Sequence, residues 1–151
     1  MFKKLVAFVF VMLLAMPALA EELHTKYFTV TMPEGWKVIM QPTENQGTTS
    51  VILANAAGNA SITFVVGPNS GADTKTIAEM FANQFKAAKP PVEKNGQYTF
   101  SFVQQDMTSQ AWVAAQGEVF MITVMAGDHK AAASFVKKHV KSSEFQALLP
   151  K

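Results

Sequence analysis

The thirty residues YTFSFVQQDMTSQAWVAAQGEVFMITVMAG, Tyr98 to Gly127, decide the fold. They read as two or three long strands, Tyr98–Gln105, Ser109–Gln116 and Glu118–Ala126. In the third, Val119, Phe120, Met121, Ile122, Val124 and Met125 leave almost no polar position. A run that is apolar on both faces belongs in the middle of a sheet covered on both sides. The remainder of the chain is expected to supply the flanking strands and the cover.

Upstream, Tyr27–Met32 alternates, with Phe28, Val30 and Met32 on one face and Thr29 and Thr31 on the other, as a half-buried strand does. Pro33-Glu34-Gly35 is a turn, and Trp36–Gln41 resumes the alternation. The polar stretch Pro42–Thr49 reads as a loop. Ser50–Ala54 and Ala60–Val66 are two further strands around Asn55–Asn59, and Gly67–Ala72 is a loop leading to a helix. Asp73 or Thr74 can cap that helix, and Thr76 with Glu79 fits a capping box. Ile77, Phe81, Phe85 and Ala88 share one stripe at helical spacing, which predicts about four turns. Asn95-Gly96 then carries the strongest hairpin signal in the chain. A last helix is predicted from Asp128 or His129 to about Ser142, with a further turn or two through Leu149.

Most of these connections are hairpins, so the class is α+β with a mainly antiparallel sheet. Two helices cannot share one face of a sheet whose central strands are apolar on both. Helical or loop cover is therefore expected on each side.

The first twenty residues read as an export signal. Lys3 and Lys4 form a basic start, Leu5–Met16 is apolar, Pro17 breaks the run, and Ala18-Leu19-Ala20 supplies small residues for cleavage. Twelve apolar residues span about 18 Å as a helix, short of the roughly 30 Å hydrocarbon layer, so no stable membrane anchor is expected. Cleavage near Ala20 leaves 131 of the 151 residues as a single domain, 21–151, delivered to the periplasm or secreted. With no cysteine, that domain has no disulfides and must hold by packing. Its eleven lysines match eleven acidic residues, and the chain has no arginine. Nothing global therefore argues for a nucleic-acid partner, and bidentate phosphate clamps are excluded.

The pattern Phe28-x-Val30-x-x-Pro33-x-Gly35-Trp36 resembles the start of PsbP-like domains, including the DcrB group of small exported bacterial proteins. The resemblance extends to the order of strands and helices over 24–149. It implies an antiparallel sheet sandwiched between helices, with Phe28 and Val30 in the core and Trp36 plugging the sheet end. Relatives include a photosystem accessory protein and a nuclear-import factor that binds a GTPase, so it implies no shared catalytic motif.

Candidate chemistry in the residues themselves is sparse. His129 and His139 are ten apart, about 80° out of alignment on one helix, and His24 is fourth rather than third from the expected new terminus. Met121 and Met125 share a strand face and could hold copper(I), but methionine is far more often core filler. Ser70 lacks the glycines of a nucleophile elbow, and Asp128 beside His129 is better read as a cap next to a surface histidine. Lys130, Lys137, Lys138 and Lys141 form a basic face on the last helix, able to meet a polyanion or anionic lipid, though a solvated face is the simpler reading.

The best candidate surface for a ligand or partner lies around Trp112, which shares its strand face with Gln110 and Ala114. A large ring among small neighbours either lets a helix approach or leaves a shallow aromatic-floored groove. Trp112 is expected to be partly exposed and Trp36 buried. The expectation is an exported binding or accessory protein of the cell envelope, non-catalytic, without cofactor, acting on an envelope protein or a small ligand. The alternative is a small periplasmic enzyme or metal-binding protein.

Overall fold

The computed structural model describes residues 20–151, so the predicted export signal lies outside the described residues except for Ala20. Ten strands and two helices follow in order: β1 (Glu21–His24), β2 (Thr29–Met32), β3 (Trp36–Asn45), β4 (Thr48–Asn55), β5 (Ala60–Pro68), α1 (Thr74–Gln84), β6 (Val92–Lys94), β7 (Gln97–Gln104), β8 (Met107–Gln116), β9 (Val119–Gly127), α2 (His129–His139) and β10 (Val140–Lys141), before one 3-10 turn at Gln146–Leu148.

These strands make two sheets. Seven run in the order β3-β4-β5-β9-β8-β7-β6, and three in the order β1-β2-β10, all paired antiparallel. β9 is the middle strand of the seven, where its two-sided apolar sequence puts it. Its even residues Ile122 and Val124 face one core with Phe100, Phe102, Ala111, Val113 and the α1 residues Ile77, Ala78 and Ala82. Its odd residues Met121 and Met125 face a second core with Ile62, Phe64, Val51, Leu53, the β2 residue Val30, and Phe135 and Val136 of α2.

The single sheet flanked by helices on both faces, implied by the family resemblance where the pattern asked for helical or loop cover, is not what the chain makes. Strand accounts for 51% of the described residues and helix for 19%. The larger sheet's second face is closed by another sheet, together with α2. The physical reason lies at Val140. It ends α2 in an extended conformation (φ −107°, ψ 123°) and pairs with Val30, so the predicted last helical turn becomes β10. Glu21–His24, for which no element was expected, pairs with β2 from the other side.

Two further boundaries differ from expectation. Pro42–Thr49 is not a loop: β3 and β4 run through it around a tight turn at Gln46-Gly47, both with positive φ. Register shifts between Val38 and Thr43 absorb Pro42, which an edge strand tolerates because its missing N–H has no ladder to break. Helix α1 stops at Gln84, with Lys86 in a left-handed conformation (φ 56°), so Ala88 leaves the predicted stripe, while Phe85 caps the helix and still packs beside Phe81 on the Ile77 core. Its cap is Asp73, whose carboxylate accepts from Thr76 N at 2.7 Å. That bond holds the Asp73 carboxyl below the usual carboxylate range. Glu79 meets Lys75 at 3.7 Å rather than closing a capping box.

Trp36 is not fully buried as expected. Its half-buried ring lies on Phe135 of α2 with centroids 4.3 Å apart, at the border of the second core.

Candidate functional site

Trp112 sits on β8 with Thr99 of β7 and Thr123 of β9 as its cross-strand neighbours. Successive strand residues point to opposite faces, so the ring rises on the face that carries Gln110 and Ala114. Ala114 is buried in the core, and Gln110 is half-buried one step toward the β7–β8 turn. Its direct neighbours along and across the strands, Gln110, Ala114, Thr99 and Thr123, are small or polar, so the indole stands above them. It remains half-buried because what lies above it is a groove.

The walls of that groove come from two segments. Helix α2 supplies Ala133, Val136 and Lys137, and the C-terminal tail supplies Leu149, Pro150 and Lys151. Trp112 and Met125 form the floor, and the enclosed volume is about 440 Å³. That volume lies within the range of small-molecule sites. The separation of the walls follows from the end of α2: the chain leaves the helix at Val140 toward β2, then returns across β8 in the 3-10 turn.

Three polar side chains hold the tail in place. Gln97, buried at the start of β7, donates to Ala147 O (3.1 Å) and Leu149 O (2.7 Å) and accepts from Lys151 N (3.3 Å). Gln116 donates to Glu144 O (2.6 Å) and accepts from Ala147 N (3.2 Å). Ser142 donates to Tyr27 O and accepts from Phe145 N. Sequence reasoning missed all three, because a glutamine or serine that ties two distant segments has no periodic signature.

The charged side chains lining the groove are Lys137 and Lys151, and no acidic side chain does so. Of the four lysines expected to form a basic face, only Lys137 borders the groove. Lys130 and Lys138 are exposed elsewhere on α2, and Lys141 is on β10, paired with Thr29. The helical stripe predicted through Lys141 is therefore broken at Val140. Thr123, opposite Trp112, is 1% exposed, and its hydroxyl finds no hydrogen-bond partner among the described residues.

The other candidates disperse. Met121 and Met125 are core residues of β9, 0% and 1% exposed. His24 lies 3.3 Å from Glu22, His129 Nε2 is 3.0 Å from Thr108 O, and His139 packs on Phe135. Asp128 caps α2 by accepting from Ala131 N at 3.0 Å, so it and His129 are engaged separately. Ser70 stands in a loop with positive φ. Among the described residues no group of three or more His, Asp or Glu side chains is placed to hold a metal ion, and no helix is long and apolar enough to cross a membrane.

The chain matches no known family model and no curated protein. It is similar in structure to a crystallised protein of Bacteroides thetaiotaomicron VPI-5482, with 13% sequence identity and a TM-score of 0.46. The match covers 78% of this chain and 46% of that one, so this chain spans about half the length of its neighbour.

Proposed function

We propose that this chain is an exported, non-catalytic binding or accessory protein of the bacterial cell envelope, and that the Trp112 groove holds a small ligand with an apolar body and an anionic head. One observation carries the reading: an aromatic-floored groove of ligand size whose charged side chains are both lysines. An indole face and aliphatic walls suit an acyl chain or ring system. Lys137 and Lys151 at the rim suit a carboxylate or sulfonate, as point charges rather than bidentate clamps. The export half of the reading rests on residues 1–20, and the likeness of residues 28–36 to PsbP-like domains is consistent with an accessory role.

The test uses Trp36→Phe, which leaves Trp112 as the sole indole reporter. Dodecanoate should quench or shift its emission, while dodecanol should bind more weakly. Lys137→Glu should weaken dodecanoate by about five- to tenfold and leave dodecanol unchanged. Emission indifferent to both probes would remove the groove from consideration.

A further inference from the structure

A second cavity, of about 640 Å³, lies elsewhere, along the outer edge of β7. Edge strand β6 is only three residues long, and it covers β7 as far as Thr99. Pro90 and Pro91 end it, since proline has no N–H to continue the ladder, and the linker from α1 bends away. Phe100–Gln104 is thereby left without a partner on one side.

The direction of its free backbone groups follows from the two hairpins that bracket it. Gln97 and Lys94 close the two-residue turn Asn95-Gly96, so the backbone groups of Gln97 face β6. Alternation puts Thr99, Ser101 and Val103 on the same edge. At the other end Gln104 and Met107 close the turn Gln105-Asp106, which turns Gln104, Phe102 and Phe100 toward β8. Both ends give the same phase. The N–H and C=O groups of Ser101 and Val103 therefore point out of the sheet.

An open edge is normally guarded by charge, proline or a bulge. The opposite edge, β3, has all three: Lys37 and Glu44, Pro42, and two register shifts. β6 carries Glu93 and Lys94. Phe100-Ser101-Phe102-Val103-Gln104 carries none, and Val103 is 68% exposed. Beside it the cavity is walled by Lys86, Ala88, Lys89 and Pro90 from the linker, with no acidic side chain in the lining.

We propose that this edge receives an extended peptide bearing aspartate or glutamate, which adds as a strand beside Phe100–Gln104 with its carboxylates near Lys86 and Lys89. Five residues of strand span about 17 Å, so five or six peptide residues fill the gap left by β6. Main-chain bonds to Ser101 and Val103 give affinity, and the lysines select for acidic side chains. A second copy of this chain would bring a second pair of lysines into the same interface, so like charge disfavours it.

The test is fluorescence anisotropy with a labelled seven-residue peptide alternating valine and threonine between two aspartates, compared with the same peptide carrying lysines. The aspartate peptide should bind more tightly. N-methylating its amides in the phase that faces β7 should weaken binding at least about tenfold, whereas the other phase should change little. Lys86→Glu with Lys89→Glu should reverse the preference toward the lysine peptide, and Lys137→Glu, in the Trp112 groove, should not alter it. No anisotropy change up to about 1 mM peptide, or equal binding of both N-methylated phases, overturns the proposal. So does a dimer in sedimentation that Val103→Lys splits, which would assign the edge to a second copy.

Discussion

Thr123→Val should make the protein more stable, and the size of the effect follows from its surroundings. Thr123 lies on the central strand between Met121 and Met125, with Phe64 on one cross-strand side and Trp112 on the other. Its hydroxyl is buried without a partner among the described residues. Mutational data put the cost of burying such a group at about 1–3 kcal/mol. Valine keeps the β-branched shape and strand preference, replacing the hydroxyl by a methyl in apolar surroundings. A gain of about 1 kcal/mol is expected, or about 3–5 °C in Tm for a domain of this size. Urea unfolding followed by circular dichroism reads it as a higher midpoint at unchanged slope. A loss of 1 kcal/mol or more would refute the reasoning, because it would mean that the hydroxyl makes a bond within the fold.

Three other substitutions probe separate parts of the structure. Gly127→Ala should cost about 3 kcal/mol or more, since Gly127 has φ 80° and a Cβ there would run into the Asn59 carbonyl; chemical denaturation measures it. Asp73→Asn keeps a capping oxygen but removes the charge. Because the folded-state pKa of Asp73 lies below its unfolded value, its contribution is present above the unfolded pKa and is lost as pH falls through the folded one. The stability gap between wild type and Asp73→Asn should therefore close on acidification, as denaturation at a series of pH values would show. Gln97→Leu should free the tail: hydrogen exchange at Lys151 should accelerate and acrylamide should reach Trp112 more readily, with unchanged exchange counting against the pinning role.

The parts legible in the sequence were those fixed by neighbours along the chain. β9 and the strands beside it follow from apolar pattern, and the Asn95-Gly96 turn from local backbone chemistry. Asp73 and Asp128 cap the helices through bonds to residues three positions on. The parts that were missed depend on distant partners. Val140 reads as helix until it meets Val30, and Glu21–His24 has no strand pattern until β2 is beside it. β3 beyond Gln41 is a polar edge strand, where neither alternation nor β-branching is demanded because one side is water. The Trp112 surface was legible as a ring among small residues. That its walls would be α2 and the tail was not, since the tail's course is set by Gln97 and Gln116 across the fold.

Both open features arise from the same mismatch of areas. Seven strands make six spacings of about 4.8 Å, a sheet roughly 29 Å wide, whereas a helix covers about 10 Å of width. On one face α2 and the three-stranded sheet lie over β4, β5 and β9; on the other, α1 lies over β7 and β8. The two covers are offset, so each face runs out of cover at a different strand. Where the α2 side runs out, at β8, a tail pinned by two glutamines bridges the remaining distance and leaves the groove over Trp112. Where the strands themselves run out, at β7, prolines stop β6 after three residues and leave the edge bare. A chain that needed only to bury its core could close the first gap with a large residue at Ala133 and the second with a charge at Val103. The residues present leave both accessible, one with an aromatic floor and the other with a free hydrogen-bonding edge.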